Sequence, residues 1–138
     1  VGRILAIDYG AVRTGLAVTD LLRITAQPLQ TVETTKLRTF LQGYLATEDV
    51  DIVVIGEPLN LLGSPGEIEP MIVELINWLF KICPKLPVYR QDERFTSSIA
   101  ARALVEGGLK KSKRRDKGIL DKVSAVLILQ AYLEKYPK

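Results

Sequence analysis

The chain has 138 residues, 47% of them hydrophobic and 25% charged, a size and composition that fit one ordinary globular domain and exclude a disordered segment. Its single cysteine, Cys83, cannot form an internal bridge, and the complete lack of histidine excludes Ser-His-Asp and Cys-His catalysis together with His-rich metal sites. The net charge of +3 is unevenly spread, with 5 basic and 10 acidic groups in residues 1–80 against 14 and 6 in residues 81–138, so the second half is a cation.

Along the chain, RILAID (residues 3–8) is an apolar run ending in a carboxylate and then Tyr9-Gly10, which predicts a buried strand meeting a turn. GLAVTD (15–20) is a second strand, and the short Gly10–Gly15 link predicts an antiparallel hairpin. A third strand is expected over 28–33. The period then changes: Thr34 or Thr35 can cap a helix in which Leu37, Phe40, Leu41, Tyr44 and Leu45 recur at helical spacing. DIVVIGEP (51–58) is a β-branched run of the kind that is buried on both faces. Past a Gly/Pro-rich loop, Met71, Ile72, Leu75, Ile76, Leu79 and Phe80 mark a helix ended by Pro84. A short strand follows in LPVYRQDE (86–93), then a helix over about 96–106 that stops at Gly107-Gly108, the basic segment 110–117, and a last helix over about 120–136.

Three strands followed by alternating helices and strands form one mixed α/β sheet of about five strands with helices on both faces. This order matches a ribonuclease H-like domain. A flavodoxin-like fold would need a helix between the first two strands, and there is no room for one. No repeat or linker divides the chain, so a single domain over 1–138 is expected.

Three carboxylates stand at element ends. Asp8 closes the first strand, where a charge is usable at the sheet's rim but costly inside it; a turn carboxylate is the plainer reading. Glu93 follows the strand LPVYRQ in Asp92-Glu93-Arg94, which also reads as a solvated strand exit. Asp121 lies in the first turn of the last helix, where the helix dipole alone accounts for an Asp. It shares a helical face with Ser124, Ala125, Ile128 and Tyr132, however, which directs it along the sheet-facing side. Mg2+ or Mn2+ prefers hard oxygen ligands, and two such ions about 3.5–4 Å apart clamp the attacking and leaving oxygens of a phosphodiester. That chemistry needs carboxylates from separate elements and no histidine. Glu57, another strand-end carboxylate, can either join them or face solvent.

Lys110, Lys111, Lys113, Arg114, Arg115 and Lys117 form a basic cluster with one acid, Asp116. It reads as a phosphate-binding loop that gains affinity through counterion release, or as a solvated loop. GEPLNLLGSPGE (56–67) is glycine-rich but lacks the Lys-[Ser/Thr] of a nucleotide-triphosphate loop.

LAIDYGAVRTGLAVTD, GEPLNLLGSPGE, DERFTSSIAARALVEGG and KGILDKVSAVLILQAYL, in that order over nearly the whole chain, resemble the YqgF family, also called RuvX, of ribonuclease H-like proteins associated with Holliday junction resolution or pre-16S rRNA processing. The resemblance implies a metal-dependent nuclease. It implies Asp8, Glu93 and Asp121 as the catalytic, metal-holding set, and Arg13 and Arg94 as phosphate or carboxylate partners. The middle motif departs from the family at Glu57, where an apolar residue is usual, and at Leu62, where Asp is frequent. The implied partners are nucleic acid, either an RNA precursor or branched DNA, and ribosomal particles, with the chain a monomer or homodimer.

Two other functions compete. A non-catalytic nucleic-acid-binding or ribosome-assembly module would use the same basic segment but gains nothing from gathered carboxylates. An actin-like ATP-dependent phosphotransferase opens with a similar strand and hairpin but closes two domains around its nucleotide. A lone cysteine, no visible secretory leader and no apolar run near the roughly 20 residues that span a bilayer lead to the expectation of a cytoplasmic protein without a membrane partner. The start at Val1 in place of Met carries the expectation of a lost initiator or short leading segment.

Overall fold

The computed structural model describes residues 2–58, 66–92 and 117–135, the side chains of 117–123 excepted. The described strands are β1 (Arg3–Asp8), β2 (Arg13–Thr19), β3 (Ala26–Glu33), β4 (Val50–Glu57) and β5 (Val88–Asp92). The described helices are α1 (Leu37–Thr47), α2 (Glu69–Ile82) and α3 (Lys117–Lys135). The helix expected over 96–106 lies outside the described residues.

The strands form one sheet in the order β3-β2-β1-β4-β5. β1 pairs antiparallel with β2, and β2 with β3, while β1–β4 and β4–β5 are parallel. Central position accounts for the sequences of β1 and β4, which are apolar at consecutive residues because both faces are covered. Leu5, Ile7, Leu16, Val18, Val53 and Ile55 pack against Leu37 and Leu41 of α1 and Ile72, Leu75 and Leu79 of α2. Ile4, Ala6, Ala17 and Val54 pack on the other face against Ala125, Ile128, Leu129 and Tyr132 of α3. The mixed sheet with helices on both faces is the expected one.

Three local expectations need correction. Neither Thr34 nor Thr35 caps α1: the chain makes a 3-10 turn over Thr34–Lys36, and neither cap position carries a side-chain cap bond. Met71 and Phe80, counted on the apolar stripe of α2, are 39% and 65% exposed, because the stripe that reaches the sheet is only as wide as Ile72, Leu75 and Leu79. The last helix already includes Lys117, ahead of the expected start near 120. Among the described residues no helix is long and apolar enough to cross a membrane.

Candidate functional site

Because β1, β4 and β5 run parallel, their last residues, Asp8, Glu57 and Asp92, lie along one rim of the sheet. Loops leaving neighbouring strands part at such a rim, and open α/β sheets bind their ligands there. Strand alternation then sorts the carboxylates by face. Ile4 and Ala6 belong to the α3-side core, so Asp8 takes the α3 face; Val53 and Ile55 belong to the opposite core, so Glu57 takes the α1/α2 face. Glu57 therefore does not join Asp8.

Asp8 is half-buried, and its register partner on β2 is Gly15, which has no side chain to cover the carboxylate. Arg13 opens β2 and shares the parity of Gly15 and Ala17, so it lies on the face of Asp8. On β5, Tyr89 meets Tyr132 of α3 with ring centroids 6.0 Å apart, which gives Tyr89 and Gln91 the α3 face and Val88, Arg90 and Asp92 the other. Arg90 Nη1 and Nη2 donate to the two Glu69 carboxylate oxygens at 3.0 and 2.8 Å, and Nη2 also donates to the Gly56 carbonyl at 3.1 Å. The first residue of α2 is thereby tied to the ends of β4 and β5.

The turn after Asp8 is tightly built. A Cβ on Gly10 would stand 2.2 Å from the Arg13 carbonyl oxygen, so only glycine permits this fold-back. Thr34 donates from Oγ1 to the Gly10 carbonyl at 2.6 Å and from its backbone N–H to the Val12 carbonyl at 2.9 Å. With that proton committed, the buried Thr14 hydroxyl donates to Thr34 Oγ1 at 2.9 Å.

At the opposite rim, Asp20 Oδ1 accepts the backbone N–H groups of Ile24 and Thr25 at 2.8 Å each. A surface hollow there is lined by Ile24, Thr25 and Ala26 together with Gln130, Leu133 and Glu134 near the end of α3. With its C-terminal end at that rim, α3 runs back toward the rim of Asp8. Asp121 is the fifth residue of α3, and the first turn holds no acidic residue, so the dipole account of Asp121 loses its basis. Lys117 lies in this helix instead of ending a loop. Glu93, Arg94, Lys110, Lys111, Lys113, Arg114 and Arg115 lie outside the described residues, and among the described ones no three Asp, Glu, Cys or His groups gather closely enough to hold a metal ion.

The RuvX family, described as Holliday junction resolvase, matches residues 2–135. The chain belongs to the RuvX family. A RuvX relative from Christiangramia forsetii, named "Putative pre-16S rRNA nuclease", is 47% identical over 131 residues, covering 95% of this chain and 97% of that protein. Among solved structures, a T. thermophilus RuvC in complex with a Holliday junction substrate superposes with a TM-score of 0.54 at 18% identity, over 98% of this chain and 96% of that one. A Fowlpox virus resolvase bound to Holliday junction DNA gives 0.57 at 12% identity, over 99% of each chain. At these identities the superpositions speak for the fold alone, and that fold is ribonuclease H-like. Thr14, Glu69 and Arg90 carry no local signal in the sequence. Thr34 does, as a hydroxyl at a strand-to-helix junction, but its partner is the Gly10 carbonyl and not a helix N–H.

Proposed function

We propose that this RuvX chain, as one domain over 1–138, is a divalent-metal-dependent nuclease that hydrolyses phosphodiesters at the rim marked by Asp8. The observation that carries this reading is Asp8 itself, a half-buried carboxylate at the end of a central strand, on the α3 face, opposite a glycine. Family membership makes the chain a nuclease. Asp121 keeps the i, i+3, i+4 and i+7 spacing with Ser124, Ala125 and Ile128, and α3 runs toward this rim. Glu93, which follows the last residue of β5 in sequence, lies outside the described residues and enters this reading through the family resemblance.

Asp8, Glu93 and Asp121 would hold Mg2+ or Mn2+, and a half-buried oxygen-donor carboxylate such as Asp8 in a histidine-free chain fits those hard ions. When bound, a pair of such ions stabilises the charge on the attacking and leaving oxygens of an in-line displacement. The chain's own residues supply position and charge. Asp8 anchors the acidic set to the rigid sheet, while Arg13 and Arg94 pair with substrate phosphates or orient the carboxylates. Lys110 to Lys117 draws in the polyanion without reading its sequence. The ribosomal RNA precursor is the substrate favoured by the 47% identical relative, branched DNA the one favoured by the family's description; ribosomal particles are further partners.

The test is Mn2+-dependent cleavage of a pre-16S rRNA fragment and a four-way DNA junction by the wild type and Asp8→Asn in parallel. Asp8→Asn keeps the size but removes the charge, so cleavage should fall roughly 100- to 1000-fold and Mn2+ binding should weaken, while affinity for the anionic substrate holds or rises. Full activity in Asp8→Asn, or undiminished wild-type activity in excess chelator, would end the metal-nuclease reading.

A further inference from the structure

We infer that Thr34 is a positioning residue of the nuclease site: its hydroxyl braces the Asp8–Arg13 turn and so sets where Asp8 and Arg13 stand. The inference rests on the role given to Asp8 above. Thr34 follows the last residue of β3, 26 positions from Asp8 in sequence, yet it takes up two of the turn's carbonyls, Gly10 through Oγ1 at 2.6 Å and Val12 through its N–H at 2.9 Å. The turn cannot satisfy these groups alone. Gly10 is folded so tightly against Arg13 that a Cβ would stand 2.2 Å from the Arg13 carbonyl oxygen, leaving the Gly10 carbonyl directed outward to Thr34. Thr14, 0% exposed, anchors the hydroxyl from behind.

The brace thus spans three elements. It runs from the core-facing side of β2, through the start of the 3-10 turn, into the loop joining Asp8 to Arg13. Both ends of that loop lead into strands, so its slack has two outlets: the end of β1, at Asp8, and the start of β2, at Arg13. Displacing a reacting or ligating group by as little as about 1 Å lowers catalysis by up to about 100-fold. Losing one hydroxyl here acts at that range without touching substrate.

Thr34→Val is nearly isosteric, keeps the N–H bond to Val12 and removes only the hydroxyl; Thr34→Ser restores it. Steady-state Mn2+-dependent cleavage, thermal midpoints and amide hydrogen exchange of residues 10–12 are measured for both, alongside Leu79→Val, a core substitution near the C-terminal end of α2, away from the rim of Asp8. Thr34→Val should lower kcat by about 10- to 100-fold with KM nearly unchanged and speed exchange in the turn. Thr34→Ser should return most of kcat, and Leu79→Val should keep kcat at an equal or greater loss of thermal midpoint. A Thr34→Val enzyme with wild-type kcat, a Thr34→Ser as impaired as Thr34→Val, unaltered exchange in the turn, or a kcat loss matched by Leu79→Val overturns the inference while leaving the nuclease reading in place. An inactive wild type overturns the nuclease reading itself, and the positioning role of Thr34 with it.

Discussion

Arg90 and Glu69 stand 21 residues apart in sequence and 2.8 Å apart in space, with both side chains about four-fifths buried. Hydrogen bonds from Arg90 hold the Glu69 carboxyl below the ordinary glutamate range, against the upward pull of partial burial. A carboxyl lowered in the folded state lends stability that is complete above its unfolded value, here 4.5, and is lost as the pH falls through the folded one. Arg90→Met should therefore cost about 2 kcal/mol at neutral pH in urea denaturation. Glu69→Gln should lie below the wild type there, and the gap between them should close as the solution is acidified past that window; a constant gap would show that the charge of Glu69 contributes nothing. Such a pair is invisible in sequence because nothing local marks either residue. Asp8, by contrast, is legible from the abrupt end of an apolar run. The face of Glu57 follows only from knowing which core Val53 and Ile55 enter.

At the scale of elements, α3 lies on a sheet face that mixes large residues, Ile4 and Val54, with small ones. Ala6 and Ala17 are fully buried in the same cluster as Ala125, Ile128 and Leu129, and at these two alanines the packing leaves no room for a longer side chain. Ala17→Leu overfills that contact; it should cost about 1–3 kcal/mol and, by displacing the helix that carries Asp121, lower kcat more than an equally destabilising change in the α1/α2 core. Thermal midpoints measured beside cleavage rates decide this, and a rate that merely tracks stability would count against a role for the seating of α3. Strands were readable here because β-branched and apolar runs ended at Gly, Pro or Asp. The start of α3 was not, since Lys117 and Gly118 continue the look of the basic segment while already in helix. Thr34 shows the converse failure: a hydroxyl at a helix start was given the local partner that propensity suggests, whereas the tertiary fold offered it the Gly10 carbonyl.

For the molecule as a whole, the acidic first half contains Asp8 and the first four strands, while the cationic second half contains β5, Glu93, Asp121 and the basic segment. The basic segment shares no residue with the three proposed carboxylates, so attraction of substrate and holding of metal can be tested separately. Replacing Lys113, Arg114 and Arg115 by Ala should reduce the slope of log affinity against log salt by about three, equally for RNA and DNA. Fluorescence anisotropy across a salt series reads this directly, and an unchanged slope would assign the segment to solvent. The outer strand β3 has its own consequence for how molecules meet. Pro28 interrupts its backbone donors, and the pairing with β2 slips by one residue where Leu16 faces Gln30 but Ala17 faces Pro28. Proline and bulges are what natural sheets use to keep a bare margin from recruiting another chain. β3 is thereby blunted against edge-to-edge growth of the sheet, which guards the chain from polymerising through its own backbone.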